Sequence, residues 1–246
     1  MLPKMILFDY GQTLFSQDEY NSLDGYTAVM EHITVNKEQI TAEAMAALER
    51  KIYLQCSDIY GYKKKREWRV ELPMKRILHY IMEYYGLESE KSCEELSIIY
   101  WDAACNAVPT NGCKSMLLYL QEKGFRIGIV SNLAYSKEAL QRRLQKYLPE
   151  VNFEIILSSC DLIFRKPEAA IFDLAFAKSK LKPDEIWYCG DDSIWDVEGS
   201  YEVGMTPVWY RGALDYEQPI PTVPHIGVSD WNEFVALLER LQSREE

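Results

Sequence analysis

The sequence predicts an α/β fold in which a doubly wound, mainly parallel sheet carries an all-helical insertion after its first strand. Three observations support this. From Pro109 onward, short apolar runs alternate with amphipathic stretches, the rhythm of a parallel sheet covered by helices on both faces. Between about Ser16 and Val108 the apolar spacing is helical and strand signals are sparse. Three strand ends bear polar chemistry, at Asp9, at Ser131-Asn132 and at Gly190-Asp191-Asp192. Sheets of this kind bind ligands beyond the carboxyl ends of their strands.

Residues 5–9 read as a buried strand. TAEAMAALERKIYLQC (41–56), RILHYIMEYYG (76–86) and CEELSIIYWDAACNAV (93–108) repeat apolar positions at helical spacing. A helix over 113–123 stops at Gly124, and RIGIVSN (126–132) is a strand running into a polar turn. A helix over 136–147, a strand over 153–159, a helix over 167–179 and a strand over 186–192 follow. A helix over 193–203, a strand over 206–210 and a helix over 231–242 complete the chain. The implied organisation is an α/β core from residues 1–15 and 109–246, with a helical cap over 16–108. In the cap, YGYKKKREWR (60–69) mixes basic and aromatic residues, as either a solvated helix end or a hold for an anionic substrate.

At 246 residues and 48% hydrophobic, the chain can bury a core and a lid. A net charge of −11 argues against a nucleic-acid partner, which selects basic surfaces. No apolar run reaches membrane-spanning length, and the N-terminal run is too short for a secretory signal. Six scattered cysteines without a CxxC, and three histidines, make no zinc site and suit a reduced, cytoplasmic protein. Oligomeric state is left open.

Four stretches, in order along the chain, resemble the motifs of the haloacid dehalogenase-like superfamily of hydrolases, most of which are magnesium-dependent phosphatases. DYGQT (9–13) resembles the nucleophile loop at Asp9 and Thr13, and IGIVSN (127–132) ends its strand on Ser131. RKPEAAIF (165–172) places Lys166 before a helix, and CGDDSIWD (189–196) supplies Asp191, Asp192 and Asp196. About 120 residues separate Asp9 from Ser131, but only about 35 separate Ser131 from Lys166. The resemblance therefore implies a helical cap between the first two motifs, similar to those of phosphoglycolate phosphatases, phosphoglucomutases and dehalogenases.

The resemblance also implies roles. Asp9 is the nucleophile, forming an acyl phosphate that water then splits. Ser131 and Lys166 meet the phosphoryl oxygens, where transition-state charge spreads, and Thr13 and Asn132 contact substrate. Asp9, the Gly11 backbone carbonyl, Asp191 and Asp192 hold Mg²⁺, with Asp196 behind them. The residues argue for the metal independently: clustered aspartates repel one another and a phosphate, and a hard divalent cation removes that repulsion. Asp192 equally fits an acid at the start of the following helix.

Position 11 departs from the phosphatase pattern D-x-D-x-T, because glycine stands where the second aspartate relays protons. General acid–base help of that kind is worth about 10²–10⁴ in rate. The expected function is thus a Mg²⁺-dependent phosphatase of a small phosphorylated metabolite with an altered proton step. Carbon-directed hydrolysis is an alternative, since dehalogenases and phosphonate-cleaving members also lack that aspartate. The dehalogenases work without metal, which the Asp191–Asp192 pair argues against. A phosphonate-cleaving enzyme needs a cap lysine, for which Lys63, Lys64, Lys65 and Lys75 are present. A catalytically weak phosphate-binding or interaction module is the third reading.

Overall fold

The computed structural model describes residues 2–61, 67–213 and 218–244. Lys63, Lys64 and Lys65 lie outside the described residues. The elements are β1 (Met5–Phe8), β2 (Phe15–Gln17), α1 (Ser22–Met30), α2 (Ala42–Tyr60), α3 (Met74–Tyr85) and α4 (Cys93–Ala104). Then come β3 (Ala107–Pro109), α5 (Cys113–Glu122), β4 (Arg126–Ser131), α6 (Lys137–Tyr147), β5 (Ile155–Ser158) and α7 (Ala169–Ser179). The chain continues through β6 (Ile186–Gly190), α8 (Gly199–Glu202), β7 (Thr206–Tyr210), β8 (Ile226–Val228) and α9 (Trp231–Gln242).

Six strands form one sheet in the order β5-β4-β1-β6-β7-β8, with every neighbouring pair parallel. The doubly wound α/β architecture read from the sequence is therefore present. Alternation along β1 sets the two faces: Ile6 and Phe8 join the cluster that includes Leu117, Leu140 and Phe234. Met5 and Leu7 join the cluster that includes Ile171 and Phe172. Successive side chains of a strand point to opposite sides, so helices are needed on both.

Four helices, α1 to α4, lie between β1 and β3. Local chemistry fixes their ends. Thr41 caps α2 and Gly61 ends it in the left-handed conformation, while Ser92 and Glu95 form a reciprocal capping box on α4. The helical segment shares the larger hydrophobic cluster with the sheet, Tyr26, Met45 and Ile77 packing in continuity with Phe8 and Ile129. Trp101 of α4 makes the join, stacked on Tyr135 at 4.3 Å and edge-on to Tyr10 at 5.9 Å.

Several expectations need correction. The strand-poor stretch opens and closes with short antiparallel strands, β2 pairing β3 through Phe15↔Pro109, Ser16↔Val108 and Gln17↔Ala107. The β8 strand and α1 were not anticipated. The predicted helix over 193–203 begins as a π-helix, Ser193–Glu198, before α8. The predicted strand over 153–159 is shorter, Ile155–Ser158. Among the described residues no helix is long and apolar enough to cross a membrane.

Candidate active site

Sheet order brings the chemistry together. β1 lies between β4 and β6, so the residues at their carboxyl ends, Asp9, Ser131 and Asp191, converge. Asp9 is held at the strand end by its backbone N–H, which donates to the Cys189 carbonyl at 2.9 Å. The following loop turns tightly: Gln12 takes a left-handed φ of 54°, and its N–H donates to the Phe15 carbonyl. This turn aims the Thr13 hydroxyl at Asp191 Oδ1, 3.1 Å away.

Lys166 is fully enclosed. Its Nζ donates to Asp9 Oδ1 at 2.5 Å, Asp196 Oδ1 at 2.6 Å and Tyr188 Oη at 2.8 Å. An ammonium has three N–H donors, so all are engaged. Tyr188 passes the chain on by donating to the Val130 carbonyl at 2.6 Å. Asn132 clamps the lysine's backbone from both sides, accepting from the Lys166 N–H at 2.7 Å and donating to its carbonyl at 3.1 Å. Asn132, expected at the substrate, thus also places Lys166. Ser131 Oγ donates to Asp9 Oδ1 at 2.8 Å.

The π-helix explains the last acid. Asp192 starts it, its Oδ1 accepting from the N–H groups of Ile194 and Trp195, the helix-start role that its position allowed. The N–H of Val197 then reaches back to the Asp192 carbonyl at 3.2 Å, widening the first turn. Asp196 thereby folds over Gly190 so closely that a Cβ there would collide with its carboxylate. Its two oxygens accept from Lys166 Nζ and from the Asp192 N–H at 2.9 Å.

Asp9, Asp191 and Asp196 place one carboxylate oxygen each within 4.8 Å of one another, all buried. Burial pushes the Asp191 carboxyl well above the usual range, with the charges of Asp196 and Asp9 adding to it. Burial pushes Asp196 up to about 7, against the pull of Lys166. Burial alone would lower Lys166, but the charges of Asp196 and Asp9 outweigh it and hold the amine above its ordinary value. When ionised, these three carboxylates outnumber the one ammonium, an excess that a divalent cation would balance. The donor set fits a hard cation, being all oxygen. Among the described residues Asp9 and Asp191 each keep one oxygen without a hydrogen bond, whereas Asp196 has both engaged.

Beside this cluster opens a chamber of about 680 Å³ between core and helices, lined on the core side by Gln12, Gln17 and Asn132. Its floor includes a contact that the sequence did not reveal. Arg165 Nη1 grips both Glu71 oxygens at 2.7 and 2.6 Å, and Ser159 Oγ donates to Glu71 Oε2. Backbone bonds run alongside, Glu71 N–H to the Ile163 carbonyl at 2.7 Å and Arg165 N–H to the Arg69 carbonyl at 3.0 Å. Arg165 stood in the quoted motif, but nothing in its neighbourhood pointed to Glu71. Lys75 pairs with Glu94 at 3.1 Å and Asp161 at 3.8 Å.

The order of strand ends, the acid cluster and the enclosed lysine define a hydrolase of one superfamily, and the family comparison agrees. The haloacid dehalogenase-like hydrolase profile matches residues 6–210, and the chain belongs to that family. A glyceraldehyde 3-phosphate phosphatase of Pyrococcus furiosus is 28% identical over 100 residues, 41% of each chain. One from Methanothermobacter thermautotrophicus is 26% identical over 106 residues, 43% of this chain and 46% of that one. The matches span less than half the length of these curated relatives. A 2-haloacid dehalogenase from Pseudomonas syringae superposes with a TM-score of 0.66 at 18% identity, covering 98% of this chain and 100% of that one. A phosphatase of the same superfamily from Thermococcus onnurineus gives 0.58 at 21% identity, covering 97% and 98%. At such identities the superpositions speak for the fold.

Proposed function

We propose that the protein is a Mg²⁺-dependent phosphatase of a small phosphorylated metabolite, acting through phospho-Asp9. The supporting observation is the buried cluster of Asp9, Asp191 and Asp196. A site that displaces halide from an anionic haloacid gains nothing from converging carboxylates, which repel that substrate. A phosphate site with a divalent cation needs them. Asp9 and Asp191, with the Gly11 carbonyl, would hold Mg²⁺, which when bound supplies charge neutralisation at the phosphoryl oxygens.

The chain's own residues do the rest. An Asp9 carboxylate oxygen bonds to phosphorus while the ester P–O bond breaks and its electron pair leaves with the departing oxygen. Water then bonds to phosphorus and breaks the P–O bond to Asp9, its proton passing to solvent. Lys166 and Ser131 hold Asp9 in line and balance its charge, and Thr13 fixes Asp191. The related phosphatases support the same reading. Incubation with Mg²⁺ and phosphate esters, phosphoanhydrides and acyl phosphates should release phosphate and leave a phosphoryl adduct on the Asp9 peptide. Halide release from 2-haloacids without any phosphate release would overturn it in favour of carbon-directed hydrolysis, whose members also lack the second aspartate.

A further inference from the structure

We propose that the substrates are aryl phosphates, the leaving phenol lodging in the chamber beside Gly11 with the Gln17 carboxamide against its oxygen. This rests on the phosphatase reading and narrows it. The first observation is at position 11. A Cβ built on Gly11 would lie 2.5 Å from Gln17 Oε1, so the end of the Gln17 side chain fills the space that a residue-11 side chain would enter. Gly11 does not have a positive φ, so its backbone does not demand glycine. Among the described residues the Gln17 carboxamide makes no hydrogen bond of its own; only its backbone carbonyl accepts, from Gln12 Nε2 at 3.1 Å.

A carboxamide donates a hydrogen bond but no proton. It steadies an oxygen that departs as an anion. Phenols ionise at ~10, within reach of such help, whereas an alcohol holds its proton far more tightly, as water does. In the step, the P–O(aryl) bond breaks, its electron pair stays on the phenolate oxygen, and solvent protonates the product on release.

The second observation is the chamber. At about 680 Å³ it lies in the range of about 300–1,000 Å³ that holds compact organic ligands. Tyr53 and Trp68, their ring centroids 5.7 Å apart at 43°, line it, as do Trp101 and Tyr135, stacked on each other at 4.3 Å. Flat rings stack on such surfaces. Charge excludes the competitors. Among the described residues the lining has the acids Asp18, Glu49 and Glu71 against the cations Arg50 and Arg165, and Arg165 is committed to Glu71. A second phosphate, as in a phosphoanhydride, would be repelled. A small acyl phosphate leaves the chamber empty.

The test is a set of Mg²⁺-supported rates on substituted phenyl phosphates, acetyl phosphate, pyrophosphate and glyceraldehyde 3-phosphate. Phenyl phosphate should exceed acetyl phosphate in kcat/KM by about 10-fold, although acetate is much the better leaving group, and exceed the alkyl ester by about 10². Tyr53→Ala should raise KM for phenyl phosphate about 10-fold more than for acetyl phosphate, and Tyr53→Phe should restore it. Gln17→Ala should lower kcat progressively more as the phenol becomes less acidic, a trend that loosened packing does not produce. A preference for acetyl phosphate or the alkyl ester, with Tyr53→Ala acting equally on all substrates, overturns this proposal and leaves the phosphatase reading intact. Absence of phosphate release and of phospho-Asp9 with every compound overturns both.

Discussion

Ser16 and Val108 face each other as partners in the β2–β3 ribbon, so the chain leaves the sheet and returns to it through one hydrogen-bonded strap. Thr110 binds the strap to the loop that follows Asp9, its Oγ1 donating to the Thr13 carbonyl at 2.9 Å. If the helices swing as a lid, the movement passes through this ribbon. Amide exchange over 15–17 and at 107 and 108 should therefore slow when Mg²⁺ and a phosphate mimic are added. Equal exchange with and without ligand would show that the strap does not respond to the site.

Asp191→Asn should largely abolish Mg²⁺ binding measured by calorimetry, because it removes the buried acid that, with Asp9, has an uncommitted oxygen. Retained binding in this variant would place the cation elsewhere.

Gly11→Asp should raise hydrolysis of alkyl phosphates by about 10², the value of a restored proton relay. The gain should be larger when Gln17→Ala is added, since Gln17 Oε1 occupies the approach. Phospho-Asp9 should be easier to trap in the wild-type protein than in either variant with aspartate at 11. Ordinary alkyl phosphate turnover in the wild type would show that another group handles the proton.

Glu71→Ala should destabilise the protein by about 3–5 kcal/mol in a urea titration, because it strands a buried guanidinium. The pair's side chains are only 7% and 3% exposed, so water cannot compensate. Glu71→Leu combined with Arg165→Met should recover most of the loss. A single-variant cost below about 1 kcal/mol would mean that the contact behaves as a surface pair.

The sheet and the convergence of its polar strand ends were legible because each rests on a local pattern. Apolar runs as in Met5–Phe8 announce buried strands, and the polar residue that follows each is where a doubly wound sheet places ligands. The ribbon was not legible, since three residues such as Phe15-Ser16-Gln17 are too few to show a period. Asp196 was found, but not its place over Gly190, because a π-turn has no sequence signature that separates it from an ordinary helix start. Glu71 acquires meaning only from Arg165, far along the chain, and Gln17 only from the tight turn that folds it back onto Gly11. Asn132 was read as a substrate contact, while its grip on Lys166 depends on a loop some thirty residues later.

The Glu71 contact has an outcome for timing. Arg165, held by the Arg69 carbonyl and by Glu71, is bonded directly to Lys166, and Ile163 two residues earlier takes a φ of 71°, a strained setting for a branched side chain. Parting the helices from the sheet would have to break these bonds one residue from Lys166, while Asn132 grips the lysine's own backbone from the core side. An opening would therefore loosen the Arg165 peptide before it disturbed the ammonium beside Asp9.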